Sequence, residues 1–403
     1  MDRGIKVFSE IGRLDAVIIH SPGIEVERMT PNTIKQALFS DILSKKIAAK
    51  EHRQISGVLK KVSKVYHLKE LLYDVFALSE SPILTFRKLV AQEKAFSESQ
   101  LQKYTTTELV DFLIEGKWEN DEAYTSFELT PLYNFYFMRD ASVSIGDQVM
   151  VGEMAKPVRN RESLIMNLIF KNHPEFLSER INFESGESIR IEGGDVLIAR
   201  DDVLLIGNGS RTSEEAILQL AKKLTGTSFK HILVQELPEE PDSFIHLDMV
   251  FTFLDTNLCM VYEPVFRNMD LRTKYIRVDS NPQLEFRDNF FCALEELGFN
   301  PEYIQCGGNN RWYQDREQWH SGANFFAFAP GKVIGYERNR NTIQSLKKAG
   351  FEVLKAEEVI SGEKHPDDYQ RCVVTLESAE LVRGGGGARC MTMPVRRQDV
   401  SWQ

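Results

Sequence analysis

No stretch of this 403-residue chain approaches the roughly 18 consecutive apolar residues of a membrane-spanning helix. Its opening, Met1-Asp2-Arg3-Gly4-Ile5-Lys6, also lacks the apolar run of a secretory signal. A cytoplasmic protein without a membrane partner is expected. Positive charge is in short supply: 49 Lys plus Arg stand against 59 Asp plus Glu, a net charge of −10. Such a surface repels phosphate backbones, which argues against nucleic acid as a partner. Cysteine is sparse too. Cys259, Cys292, Cys306, Cys372 and Cys390 are scattered, with no C-x-x-C pair, so neither a disulfide framework nor a zinc ribbon is signalled. The composition is close to globular averages and excludes collagen-like and low-complexity classes, while the length suffices for two ordinary domains or one large pseudo-repeated one.

What is present is a body of short apolar strands and amphipathic helices. Residues 7–21 alternate around Val17-Ile18-Ile19-His20 and stop at Pro22-Gly23, the pattern of a strand closed by a turn. Residues 33–72 are rich in Ala, Leu, Lys and Glu without proline, and Ile42, Ile47, Ala48 and Ile55 recur near helical spacing, which predicts a helical region. A second helix-rich stretch, densest over 82–116 with Leu84, Leu89, Leu101, Leu109 and Leu113, predicts a helical subdomain inserted at 76–128 within one catalytic domain spanning 1–403.

Beyond residue 133 an internal repeat appears: four times a polar residue opens an apolar β-hairpin. Asp140 precedes Ala-Ser-Val-Ser-Ile and a Gly146-Asp147 turn; Asp195 precedes Val-Leu-Ile-Ala-Arg and an Asp201-Asp202 turn; Asp248 and Asn324 open the third and fourth hairpins. The three aspartates are almost evenly spaced, and the longer interval before Asn324 holds an insertion. An amphipathic helix follows the second hairpin. Thr212-Ser213-Glu214-Glu215 spells a capping box, Ile217, Leu220, Ala221 and Leu224 line one face, and Gly226 lies beyond the end. The unit is therefore strand, strand, helix, strand. No such unit buries its own sheet face alone, so units stack, and a ring removes their exposed edges. A ring brings equivalent positions to its axis: Asp140, the turn from Glu192 to Asp195, His246 with Asp248, and Asn324. In a solenoid or in two separate α/β domains the same residues would only cap hairpins.

The last unit ends in Arg383-Gly384-Gly385-Gly386-Gly387-Ala388-Arg389-Cys390. Four glycines allow close backbone approach to a ligand. The G-K-[ST] ending of a phosphate loop is missing. A cysteine beside Arg389 has the setting of a thiolate nucleophile of depressed pKa. His246-Leu247-Asp248 places two polar side chains at strand spacing, on one face. One histidine without a second, or an H-E-x-x-H pattern, argues against zinc. A thiol, an imidazole and several carboxylates near one axis require a cationic partner, because like charges repel strongly in a site of low dielectric. A planar guanidinium fits: carboxylates bind it edge-on and leave its central carbon open to a thiolate.

These residues resemble the arginine deiminases of the guanidine-modifying superfamily. The resemblance runs nearly end to end, through Ser9-Glu10-Ile11-Gly12, His20-Ser21-Pro22-Gly23, Asn134-Phe135-Tyr136-Phe137-Met138-Arg139-Asp140, Glu192-Gly193-Gly194-Asp195, His246-Leu247-Asp248, Arg316-Glu317-Gln318-Trp319 and the Cys390 loop. It implies a five-fold pseudosymmetric α/β propeller with an inserted helical bundle. It implies hydrolysis of L-arginine to L-citrulline and ammonia with no metal or organic cofactor. Cys390 would be the nucleophile, carrying a thiouronium intermediate; His246 would be the proton shuttle, Glu192 its orienting partner, and Asp140 and Asp248 the guanidinium clamp. Asn134, Phe137, Arg159 and Arg211 would hold the amino-acid end. A dimer or tetramer is the implied assembly. A superfamily amidinotransferase would use the same cysteine with an amine acceptor, and a binding protein that had lost turnover would keep the fold. The sequence departs from the family pattern at Met138, Met249, His320-Ser321 and Gly385, the last standing where some members carry a gating arginine.

Overall fold

The repeat resolves into one strand pairing used five times. The computed structural model describes residues 3–402 apart from 36, 92, 94, 95, 119–126, 185 and 187. Val196–Arg200 turns at Asp201-Asp202 and returns antiparallel as Val203–Asn208, and after helix Glu214–Lys223 the strand His231–Glu236 joins parallel. Ser142–Ile145, Gln148–Val151 and Arg180–Ile181 repeat this pairing around helix Asn160–Asn172. Phe251–Asp255, Leu258–Val261 and Glu302–Gln305 do so again, as do Phe326–Ala329, Lys332–Tyr336 and Cys372–Leu376. In the fifth sheet the two ends of the chain meet: Leu14–Ile19 pairs antiparallel with Met393–Arg397 and parallel with Lys64–His67. The second sheet is extended by Thr273–Arg277 and Leu284–Arg287, and the fourth by Glu352–Lys355.

Neighbouring sheets share apolar cores, which is what short strands buried on both faces require. Val143 and Ile145 pack with Val196, Ile198 and Ile206; Leu197 and Leu205 pack with Phe251, Phe253 and Val261, and the same cluster reaches Phe325, Ala327 and Val333. Phe326, Ile334 and Val374 pack with Leu14, Val17 and Ile19, while Ala16, Ile18 and Met393 pack with Val149 and Val151.

The helical readings hold with two corrections. The region 33–72 is not continuous helix: Lys45–Val62 is helical, the chain then enters strand Lys64–His67, and helix Leu68–Ala77 follows. Ala48 and Ile55 face the core, but Ile42 and Ile47 are exposed, so apolar spacing overstated the helix there. The second correction concerns the cap of helix Glu214–Lys223. Ser213, not Thr212, accepts the Ala216 N–H, leaving the Thr212 hydroxyl for another use. Within the predicted insertion, helices Pro82–Leu89 and Thr106–Glu115 begin at Ser81 and at a Thr105/Glu108 capping box, and their Phe86, Leu109 and Leu113 pack with Leu72 and Phe76. The end of that insertion at 119–126 lies outside the described residues. Among the described residues no helix is long and apolar enough to cross a membrane.

Candidate active site

Each of the first three hairpins is entered through a single helical turn: Met138–Ala141, Gly193–Asp195 and Leu247–Met249. His246 and Asp248 are therefore not on a strand as their spacing suggested; His246 is extended and Asp248 sits on the turn after it. These turns bring Asp140, Glu192, His246 and Asp248 into one buried centre. Gly194 makes room for the imidazole, because a Cβ there would lie 2.4 Å from His246 Nδ1.

His246 Nε2 and Glu192 Oε2 are 2.9 Å apart, and His246 Nδ1 lies 3.7 Å from Asp140 Oδ1. Burial alone would discharge the imidazole. Asp140, the Glu192 hydrogen bond and Asp195 outweigh it and raise His246 to about 9, so the ring is an imidazolium at neutral pH. Glu192 is held below the usual carboxylate range: burial opposes ionisation, but the His246 hydrogen bond, Arg211 and Arg159 prevail. Asp140 Oδ1 and His246 Nδ1 have no hydrogen-bond partner although both are buried. An unpartnered buried acceptor is costly, so Asp140 Oδ1 marks a place where a ligand donor fits, while the protonated Nδ1 beside it is itself a donor. Asp140, Glu192 and His246 also present ligand atoms within 4.8 Å of one another.

Cys390 follows the glycine run and is 4% exposed. Asn324 Nδ2 donates to its Sγ at 3.2 Å, and Asn324 Oδ1 accepts the Arg389 N–H at 2.9 Å. Sγ lies 3.7 Å from Asp248 Oδ2. Arg389 lowers the thiol pKa as expected but is outweighed, because its guanidinium is taken up by Asp248 Oδ2, at 2.8 Å, and by Glu10. Burial, then Asp248, then Asp140 push the thiol well above its ordinary value instead. Gly386 passes so close to Phe137 that a Cβ would lie 2.4 Å from the ring, which is why the loop needs glycine there.

Both arginines expected at the amino-acid end are buried rather than superficial. Arg159 Nη1 donates to Asp140 Oδ2 at 2.7 Å and lies 3.8 Å from Glu192, while Nη2 donates to Glu162 at 2.8 Å. Arg211 Nη1 is 3.5 Å from Glu192 Oε1. Asn134 donates to the Ala37 carbonyl at 2.7 Å. With Phe137 these residues line a cavity of about 560 Å³ that also reaches Cys390 and His246. All nine residues singled out in the sequence thus lie in or directly beneath one cavity. Sequence reasoning missed Asn324 as a partner of the thiol, although it had marked its hairpin position, and missed Glu162, whose i+3 spacing from Arg159 was the available signal.

A thiol, an imidazolium and a set of carboxylates around one cavity can be compared with known proteins. The sequence profile described as arginine deiminase matches residues 35–397. The chain belongs to the arginine deiminase family. It is 34% identical to the arginine deiminase of Listeria innocua serovar 6a, covering 99% of this chain and 100% of that one. It is 33% identical to that of Oenococcus oeni, over 98% of each chain, and 32% to that of Lactococcus lactis subsp. lactis, over 99% and 100%. The family's enzymes are hydrolases of C–N bonds in linear amidines. Among solved structures, the N-terminal domain of ArgZ covalently bonded to a reaction intermediate is similar at TM-score 0.55 and 15% identity, covering 95% of this chain and 98% of that one. SxtG, an amidinotransferase from Microseira wollei in the saxitoxin biosynthetic pathway, is similar at TM-score 0.53 and 15% identity over 98% of both chains. At such identities the likeness concerns the mixed α/β fold.

Proposed function

We propose that this chain hydrolyses L-arginine to L-citrulline and ammonia through a covalent thiouronium intermediate on Cys390. The observation that carries the reading is the unpartnered, buried acceptor Asp140 Oδ1 in the cavity that also holds the Cys390 thiol and the His246 imidazolium. A guanidinium donates in its plane to Asp140 and Asp248 and presents its carbon face to Sγ. Its positive charge offsets the carboxylates that suppress the thiolate, so the bound substrate itself favours ionisation of Cys390. Cys390 gives up its proton to solvent as the guanidinium binds, the Sγ thiolate attacks the guanidinium carbon and forms the C–S bond, and one guanidinium C–N bond breaks as its nitrogen takes a proton supplied by His246 and leaves as ammonia. His246, now neutral, accepts a proton from water, whose oxygen attacks the same carbon. The C–S bond breaks, the thiolate is released and the ureido group of citrulline remains.

Arg159 and Arg211 bind the α-carboxylate, with Asn134 and Phe137 shaping that end of the cavity. Arg159 is paired with Asp140 Oδ2, so a guanidinium on Oδ1 competes with Arg159 for the same carboxylate, and the substrate carboxylate is a second partner for Arg159. The five sheets, each with the same antiparallel and parallel pairing, form the blades of a pseudosymmetric propeller within one catalytic domain, and the helices of 76–128 are its insertion; the apolar clusters joining each sheet to the next support this reading. The test is release of citrulline and ammonia from L-arginine by purified protein, beside Cys390→Ala and with agmatine as an alternative substrate. Equal citrulline and ammonia from arginine, absent in the variant, is the expected result. No citrulline at any pH overturns the reading, and transfer to an amine acceptor without net hydrolysis replaces it with an amidinotransferase.

A further inference from the structure

Asp195 is fully buried, carries a carboxylate and makes no contact with the cavity residues' reacting atoms. Its Oδ1 accepts the Leu247 N–H at 2.9 Å, the peptide that follows His246. Its Oδ2 accepts the Thr212 hydroxyl at 2.6 Å, and Thr212 follows Arg211. The Thr212 oxygen in turn accepts the Glu192 N–H at 3.3 Å. One carboxylate thus fixes backbone beside three side chains of the site that arrive from three separate segments. Thr212 accepts the Glu192 N–H and gives its single proton to Asp195, and the Leu247 amide can only donate, so both partners favour the ionised Asp195 against the burial that raises it to about 7. Both Asp195 oxygens are therefore acceptors. An asparagine there accepts at one position only and sets an NH₂ against a donor at the other, whichever way it is turned.

We infer that Asp195 is a positioning residue of the site, holding His246, Glu192 and Arg211 in register through the Leu247 amide and the Thr212 hydroxyl. This rests on the deiminase reading above. It also explains why the helix that follows is capped by Ser213 and not Thr212. Packing supports the same role: a Cβ at Gly207 would fall 2.1 Å from Asp195 Oδ1, so the neighbouring strand leaves room for this carboxylate.

The experiment compares full-length Asp195→Asn, Thr212→Val and Thr212→Ser with the wild type, measuring kcat and KM for arginine beside thermal melts. Asp195→Asn and Thr212→Val, folded at the assay temperature, should lose about ten- to a hundredfold in kcat, the scale of a small misplacement of catalytic groups. Thr212→Ser keeps the hydroxyl and should stay within about threefold of wild type. Lowered melting temperatures with unchanged kcat and KM would mean that Asp195 only stabilises the fold, and would overturn the inference. Thr212→Ser as impaired as Thr212→Val would overturn it as well. Should Asp195→Asn not fold, the Thr212 pair decides. Should the wild type release no citrulline, the functional reading fails separately; the His246 imidazole resonances of the free protein then decide, perturbed in Thr212→Val if the inference holds and unmoved if it does not.

Discussion

Replacing Asp248 with asparagine should make Cys390 chemically more reactive while making the enzyme far less active. Sγ lies 3.7 and 4.0 Å from the two Asp248 oxygens, and the thiol is raised well above its ordinary value by burial, Asp248 and Asp140. Two unit charges 3.7 Å apart at an effective dielectric of about 20 repel by about 4.5 kcal/mol, a ceiling that solvent and the Arg389 counter-charge reduce. Removing that charge lowers the pKa of the thiol, so alkylation of Cys390 by iodoacetamide at pH 7.5 without arginine should rise about tenfold or more in Asp248→Asn. Citrulline release should fall about a hundredfold or more, because half of the guanidinium clamp is gone. Peptide mass spectrometry reads each cysteine separately, and exposed Cys292 serves as an internal control. Unchanged or slower labelling of Cys390, with Cys292 labelled as before, would refute the electrostatic argument.

His246, raised to about 9, should give kcat/KM an alkaline limb near that pH, as the donor to departing ammonia is lost; Glu192→Gln removes a charged hydrogen-bond partner and should move the limb about one to two units toward acid. A pH profile flat to pH 10 would contradict this. The same shift is a stability statement. A histidine of ordinary pKa 6.5 raised to about 9 contributes about 3 kcal/mol that is fully present below pH 6.5 and is lost as pH rises through 9. Urea unfolding at pH 6 and 9.5 should show that loss, and His246→Gln should flatten it. Gly386→Ala sets a Cβ 2.4 Å from the Phe137 ring, an overpacking worth about 1–3 kcal/mol, and should lower both the melting temperature and kcat/KM by displacing the Cys390 loop.

The repeat was legible because its hairpins are short, apolar and opened by a polar residue, so their equivalence shows in spacing alone. Convergence of Asp140, Glu192, His246, Asp248 and Asn324 followed from stacking such units, and these residues do meet. What sequence did not yield was direction. Arg389 stands next to Cys390 in the chain, yet its guanidinium serves Asp248 and Glu10, since consecutive residues of a turn point apart. Thr212 spells the start of a capping box, but a buried carboxylate competes for its hydroxyl. Strand Lys64–His67 was hidden between two helices because its four residues pair in parallel with Leu14–Ile19, a contact that only the folded chain supplies.

The ion pairs around Asp140 bear on how arginine is told from agmatine, which has the same guanidinium and no carboxylate. Arg159 donates to Asp140 at 2.7 Å and to Glu162, and all three are buried. In the function proposed above, a guanidinium on Asp140 Oδ1 competes with Arg159 on Oδ2 for one carboxylate charge, and Glu162, held up to about 7 by burial against the pull of Arg159, is a weak further anchor at neutral pH. In that reading arginine brings its own carboxylate as a partner for Arg159 and Arg211. Agmatine brings a second cation and no anion, so it leaves a buried charge unpaired, a defect of about 3–5 kcal/mol. That is a discrimination in kcat/KM of about a hundred- to a thousandfold or more in favour of arginine. Arg159→Ala removes the competing cation and should narrow the ratio by lowering the arginine value much more than the agmatine value. Comparable kcat/KM for the two substrates in the wild type, or a ratio untouched by Arg159→Ala, would show that the carboxylate is recognised elsewhere.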